Sequence, residues 1–274
     1  MSFRGNLEQH GILVDGTGAQ LRTFASGGNL VRPSPGQGFW KDCPNLNYVD
    51  PSVAHSFFDD FGSIALDDTT LLPTQYVGVF DATGSIACGS TTGGVVNLTT
   101  HTDANDAVSL QLGLGRFPIV TDSGKKLWAE FRISTASAAA TIAGAFVGLA
   151  SAGYDFDILT DTTGVLAASK NLLGFRIIAA TPAAWQACWK TGSQTVGTVA
   201  ACVNAADYHT FGIYFDGKST VTFYVDRVPL GTTVETDATA FPTGMVGTPF
   251  FAIKTVSGDA KVLSLDWVKV VQVR

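Results

Sequence analysis

Apolar residues alternate with polar ones through most of the last third of the chain. Leu263, Leu265 and Trp267, for example, follow a period of two in the final run. Such alternation, bounded by Asp-Gly and Ser-Gly-Asp turns, is typical of antiparallel strands with one face in a core. The pattern predicts four strands, at residues 208–215, 220–225, 249–254 and 261–273.

Shorter runs of the same kind recur from residue 56 onward, and no helical period of adequate length appears. They predict strands at residues 57–61, 76–80, 95–98, 108–112, 127–133, 143–150, 172–178, 184–190 and 195–203. In the strand at 127–133, alternation places Trp128, Glu130 and Arg132 together on a half-exposed face. About a dozen strands require two packed sheets, since one open sheet would expose an apolar face. The sequence therefore predicts an all-β protein, a two-sheet antiparallel jelly-roll sandwich over residues 56–274.

Residues 1–55 differ from the rest of the chain. Glycine and proline interrupt short apolar pieces there, as in Arg32-Pro33-Ser34-Pro35-Gly36, and they disfavour regular helices and central strands. We expect an extended N-terminal arm with little regular structure. The arm either lies along its own domain or becomes ordered on a partner subunit.

Composition excludes several classes of partner. Charged residues make up 15% of the 274 residues and the net charge is −6, without a basic cluster, so we expect no nucleic-acid partner. The longest apolar stretch, residues 136–152, is interrupted and too short to span a bilayer, and no export signal is visible. The cysteines lack metal-ligand spacing and are expected to be free thiols, with a disulfide between Cys188 and Cys202 across a hairpin as the less favoured alternative.

The strands from residue 127 onward resemble the concanavalin A-like, laminin-G-like jelly roll. The resemblance rests on the succession of strands, on the strand that ends at Asp226-Arg227, and on the late run Leu265-Asp266-Trp267. It covers roughly residues 56–273. Domains of this class include lectins, glycoside hydrolases, adhesion modules and virion proteins of tailed bacteriophages, and the low charge and N-terminal arm are most similar in style to the last group.

Catalysis is not expected from the acidic residues. Glycoside hydrolases of the laminarinase type carry paired glutamates on one strand, whereas this chain has only Glu8, Glu130 and Glu235, none near another. The alternating acids Asp155, Asp157 and Asp161 are read as a solvated turn rather than as catalytic groups or calcium ligands. We therefore expect a protein that is not an enzyme, with no cofactor and no metal.

The favoured function is a bacteriophage capsid decoration protein made in the host cytoplasm and located on the virion surface. Its partners would be the major capsid protein and copies of itself, as a homo-oligomer with a trimer favoured. The candidate partner-binding residues lie in the arm: Arg4, Arg22, Arg32, Phe39 and Trp40. The alternative is a carbohydrate-binding, lectin-like module, with Trp128, Tyr154, Trp185 or Trp189 available to stack on sugars, although each is more often a packing residue.

Overall fold

In a computed structural model of the protein, the described residues contain nineteen β-strands. The structure describes residues 12–14, 20–24, 30–31, 39–40, 43, 52–62, 76–80, 83–89, 94–113, 117–135, 142–151, 159, 170–179, 184–192, 196–203, 207–255 and 259–274. The strands are β1 Ile12–Val14, β2 Gln20–Phe24, β3 Leu30–Val31, β4 Ala54–Asp59, β5 Tyr76–Phe80, β6 Ser85–Cys88, β7 Val96–Thr99, β8 Ala107–Leu112, β9 Phe117–Ile119, β10 Leu127–Thr135, β11 Ile142–Ser151, β12 Leu172–Ile178, β13 Ala184–Lys190, β14 Gly197–Val203, β15 His209–Phe215, β16 Thr220–Val225, β17 Val228–Glu235, β18 Met245–Thr255 and β19 Val262–Val273. Within these residues, no helix is long and apolar enough to cross a membrane.

Two eight-stranded antiparallel sheets account for strands β4 to β19. The first sheet has the order β17-β16-β15-β10-β19-β7-β6, with β4 paired to β19. The second has the order β14-β13-β12-β11-β18-β8-β5, with β9 paired to β18. Consecutive strands of the chain often lie in opposite sheets, as β10 and β11 do. The predicted all-β two-sheet sandwich is confirmed.

The core lies between the inner faces of the two sheets. Phe131 of the first sheet meets Phe251 of the second edge to face, with ring centroids 5.7 Å apart, and Phe175 meets Phe211 in the same way at 4.9 Å. All four side chains are almost completely buried. Each such ring removes a large apolar surface from water, which is the main favourable contribution to folding.

A separate three-stranded sheet, β1-β2-β3, lies within the predicted arm. In β1 and β2, Ile12 pairs with Thr23 and Leu13 with Arg22. Three short strands thus lie within residues 1–55, and the boundary between arm and sandwich stays a prediction.

The first sheet is also covered on its outer face, by Phe39, Trp40 and Cys43 of the predicted arm. Phe39 is 2% exposed, and its ring lies over Gly212 of β15, where an added Cβ would be 2.9 Å from a ring carbon. Ala54, Trp128 and Val271 complete this outer cluster. Glycine at position 212 is therefore required by the close approach of the ring.

Two expectations about the faces of strands are corrected by this arrangement. Trp128 and Glu130, predicted to be half exposed, are 0% and 1% exposed because the Phe39 cluster covers them. Trp267 does not share the face of Leu263 and Leu265, because the register between β10 and β19 shifts at this point. That bulge turns both Asp266 and Trp267 outward.

Strand pairing also corrects the alternative of a disulfide between Cys188 and Cys202. Cys188 pairs with Thr198, whereas Cys202 pairs with Trp185, so the two cysteines do not face each other across the hairpin. Cys188 is a buried free thiol. The irregular register between Gln186 and Ala187 separates the two positions further.

The contact between Phe39 and Gly212 yields a test of how the arm is attached. Gly212→Ala should lower the free energy of unfolding by about 1–3 kcal/mol, because the new methyl group displaces the ring. Phe39→Ala should cost about 3 kcal/mol. In the Phe39→Ala background the added methyl group meets no ring, and Gly212→Ala should then cost much less.

Urea denaturation of the four variants measures this coupling. Phe58→Ala is the matched control, because Phe58 is 60% exposed and its removal should change stability by about 0.5 kcal/mol or less. An equal cost of Gly212→Ala in both backgrounds would show that Phe39 does not occupy this position.

Candidate functional site

Glu130 is the charged centre of the outer face of the first sheet. It projects outward from β10 and is 1% exposed. The indole Nε1 of Trp40 donates a hydrogen bond of 2.8 Å to its Oε2. Arg227 donates from Nε to Oε1 at 2.9 Å and from Nη2 to Oε2 at 3.3 Å. These three hydrogen bonds compensate for the loss of water around the buried carboxyl group.

The hairpin between β16 and β17 positions Arg227. Its two turn residues, Asp226 and Arg227, have φ of 49° and 65°, the left-handed conformation of a tight two-residue turn. The Asp226 carboxylate accepts hydrogen bonds from Thr210 N at 2.9 Å and from the His209 ring at 2.7 Å. These contacts fix the turn against the start of β15, so that Arg227 is directed toward Glu130.

Lys269 lies between the arm and the open part of the same face. Its Nζ is 5.0 Å from the centroid of the Trp40 ring, a cation–π contact. Burial lowers the pKa of Lys269, and the nearby Cys43 and Glu130 raise it in part while Arg227 lowers it further. Phe58 of β4 is paired with Lys269 in register and exposes 60% of its surface.

Beyond Lys269 the face remains open and aromatic. Trp267 is paired in register with Arg132, and both are partly exposed. The Arg132 guanidinium forms an ion pair with Asp266 and lies 4.7 Å from the centroid of the Tyr208 ring. We call the partly exposed rings Trp40, Phe58, Tyr208 and Trp267, together with Arg132, Asp266 and Lys269 between them, the aromatic face.

The partner-binding residues predicted from the sequence are divided by the structure. Arg4 and Arg32 lie outside the described residues, and Arg22 lies in β2. Phe39 and Trp40 lie on their own sheet, where the Phe39 ring is edge to face with both Trp40 and Tyr224 at 5.0 Å. Binding of a partner through these five residues stays a prediction. Only Trp40 among them belongs to the aromatic face.

The tryptophans predicted as sugar-stacking candidates are buried, Trp185 and Trp189 in the core between the sheets and Trp128 in the outer cluster. Trp128, Trp185 and Trp189 are 0%, 2% and 7% exposed, and Tyr154 lies outside the described residues. Sequence reasoning missed Phe58, Tyr208 and Trp267 for this role. Trp267 points outward because of the bulge in β19. The period-two alternation in the sequence gives no indication of that bulge.

A buried apolar cluster covers part of the outer face of the second sheet. Phe146, Leu172 and Phe250 are buried there with Leu159, whose backbone oxygen accepts a 3.1 Å hydrogen bond from Lys254 Nζ. Cys188 lies in the same cluster, and burial raises the pKa of its thiol to about 12, although Arg176 lowers it in part. A thiol with that pKa is not a nucleophile near neutral pH. The acids Asp155, Asp157 and Asp161 lie outside the described residues.

Three solved structures share this fold. A protein of unknown function from Shewanella oneidensis MR-1 has a TM-score of 0.55 at 14% identity, covering 81% of this chain and 87% of that one. An endo-1,3-β-glucanase from Streptomyces sioyaensis has 0.52 at 14%, covering 81% and 98%. A glycoside hydrolase family protein from Mycobacterium thermorestibile has 0.51 at 13%, covering 78% and 99%. No family model and no curated protein matches the chain.

These likenesses define the class of fold as a concanavalin A-like jelly-roll sandwich, as the resemblance in the sequence implied. They do not support its finer part, a link to bacteriophage virion proteins. The prediction that the protein is not an enzyme is wrong in excluding catalysis, because a glucanase and a glycoside hydrolase family protein have the same fold. The small number of glutamates in the chain is therefore not sufficient ground for excluding an enzyme.

The ionisation of Asp226 gives a test of the turn that positions Arg227. Burial of Asp226 raises its pKa, but hydrogen bonds from Thr210 and His209 outweigh this, and the pKa lies below its usual value. His209→Gln removes the interaction with the histidine ring and should raise the pKa of Asp226. Because the folded-state pKa is depressed, Asp226 stabilises the fold above its unfolded pKa of about 3.9, and this contribution is lost as pH falls through the folded pKa.

Carboxyl-carbon NMR titration of Asp226 in wild type and His209→Gln measures the shift. Thr222→Val, in the middle of β16, is the control and should leave the Asp226 titration unchanged. An Asp226 pKa that does not move in His209→Gln would contradict the hydrogen bond.

Proposed function

We propose that the protein binds carbohydrate on the aromatic face. The observation that supports this most directly is the set of four partly exposed rings, Trp40, Phe58, Tyr208 and Trp267, on one sheet face with Arg132, Asp266 and Lys269 between them. Aromatic rings pack against the apolar C–H surfaces of sugars, while charged side chains bind the hydroxyl groups.

Contacts with neighbouring residues hold the side chains of the aromatic face in place, as a binding surface requires. Trp40 is held by its hydrogen bond to Glu130, Arg132 by its ion pair with Asp266, and Lys269 by its neighbours on the adjacent strands. Side chains held in place before binding lose little conformational entropy when a ligand binds. Among the described residues, the outer face of the second sheet has no comparable group of exposed rings, because Phe146 and Phe250 are buried there.

Likeness of fold supports the same class of ligand. One of the three solved structures is named for action on a 1,3-β-glucan, and another is a glycoside hydrolase family protein. A retaining glycosidase needs two carboxyl groups about 5–5.5 Å apart. Glu130 and Asp266, which flank the aromatic face, are each bound by an arginine. We therefore propose binding, and an assay for hydrolysis is made separately.

The virion role stays a separate prediction. The contacts described above do not test a location on a capsid surface, a major capsid protein as partner, or a homotrimer. Antibody labelling of particles tests that prediction independently of any sugar.

A glycan array with the full chain, followed by calorimetry on the strongest ligand, tests the proposal. Trp267→Ala and Phe58→Ala should each weaken binding by about tenfold or more, since exposed aromatic residues dominate such contacts. Val228→Ala is the matched control, because Val228 is also an exposed apolar residue, at 64%, but lies on the edge strand β17. It should bind as wild type does.

Release of reducing ends from the same ligands separates binding alone from binding with hydrolysis. Absence of any bound glycan would overturn the proposal, and so would full binding by the Trp267→Ala and Phe58→Ala variants.

A further inference from the structure

The loop between β7 and β8 brings together three potential metal ligands. His101 Nδ1 lies 3.2 Å from Asp103 Oδ2 and 3.6 Å from Asp106 Oδ2. One atom from each of the three side chains lies within 4.8 Å of the other two. In the part of the chain that the structure describes, no other group of three histidine, cysteine, aspartate or glutamate side chains meets in this way.

The loop is held at both ends by backbone hydrogen bonds. Thr100 N donates to Lys261 O at 2.9 Å, and Lys261 N donates to Thr100 Oγ1 at 2.9 Å. At the other end Asn105 N donates to Thr255 O, and Thr255 N donates to Asp106 O. Since β7 belongs to the first sheet and β8 to the second, these bonds tie the loop to the ends of both sheets. The ligand atoms are therefore positioned by the sandwich.

The direction of the imidazole is the second observation that points to a bound ion. The His101 side chain is 41% exposed, but its Nδ1 atom is shielded from solvent and faces both carboxylates, with geometry that does not meet the criteria of a hydrogen bond. The nitrogen therefore points into the space that the two carboxylates share. Asp106 is 8% exposed and forms the buried side of this space, while the Asp103 side chain is 78% exposed and leaves the opposite side open.

The distances and the donor set select the class of ion. Ligand atoms about 2.0–2.2 Å from a tetrahedral Zn²⁺ lie about 3.3–3.6 Å apart, close to the two separations of 3.2 and 3.6 Å from His101 Nδ1. The two carboxylates lie within 4.8 Å of each other, and the exposed Asp103 side chain can adjust on binding. Calcium and magnesium bind oxygen ligands and Ca²⁺ needs six to eight of them, whereas an imidazole nitrogen favours Zn²⁺ and its transition-metal neighbours. Two carboxylates and one neutral imidazole also balance the charge of a divalent cation.

We propose that His101, Asp103 and Asp106 bind one divalent ion of the Zn²⁺ class, with a fourth position open to water. The site is independent of the proposed carbohydrate face. Its ion links the loop ends of the two sheets, so binding should raise the thermal midpoint of unfolding, because only the folded chain brings the three ligands together.

Calorimetric titration of the metal-free full chain with ZnCl₂ tests this proposal, with CaCl₂ as the comparison ion. We expect one Zn²⁺ per chain, no comparable Ca²⁺ binding, and a visible absorption band of tetrahedral Co²⁺ when CoCl₂ is used as a probe. Asp103→Asn, on an exposed side chain that should not affect folding, and His101→Gln should each weaken Zn²⁺ binding by at least about tenfold.

The matched control is His209→Gln, because His209 also lies beside an aspartate, at 2.7 Å, but has only that one carboxylate partner among its ion pairs. This variant should bind Zn²⁺ as wild type does. Absence of Zn²⁺ binding in the wild type would overturn the proposal and leave an ordinary histidine–aspartate ion pair. Binding that persists undiminished in Asp103→Asn would overturn it as well, by placing the ion elsewhere.

Discussion

Burial of the two inner sheet faces against each other is the constraint on which the rest of this structure depends. Each long strand contributes every second side chain to that layer, and the rings of Phe131, Phe175, Phe211 and Phe251 bridge it by edge-to-face contacts. A side chain that does not point into this layer must point outward. The chemistry available to the protein is therefore decided by what lies on the two outer faces and in the loops that join the sheets.

The outer faces of the two sheets differ in which side chains cover them. On the second sheet, Leu159 packs with Phe146, Leu172 and Phe250 in a buried apolar cluster. On the first, Phe39 covers only part of the sheet, and Glu130 beneath it forms an ion pair with Arg227 and accepts a hydrogen bond from Trp40. The same contacts that attach the arm thus hold Trp40 at the border of the open region. Trp40 therefore belongs both to the cluster that covers β10 and to the aromatic face.

The proposed sugar face and the proposed metal loop illustrate two ways in which a sandwich positions functional groups. The face uses the regular spacing of side chains on neighbouring strands, modified by one bulge at Asp266. The loop uses backbone hydrogen bonds from both sheets to bring His101, Asp103 and Asp106 together. In both, rigid strands support groups that would be too mobile to bind a ligand on an isolated peptide.

Alternation alone determined the fold class, because the period of two specifies which side chains a strand can bury and does not depend on long-range contacts. It located most of the sandwich strands, but it missed β6, β9 and β17, which are short or interrupted by proline and glycine. Only the tertiary structure decided the outer faces. Whether Trp128 is exposed depends on Phe39, which lies 89 positions away in the numbering, and the direction of Trp267 depends on a bulge against β10. Such contacts join residues far apart in the chain, and local patterns carry no information about them.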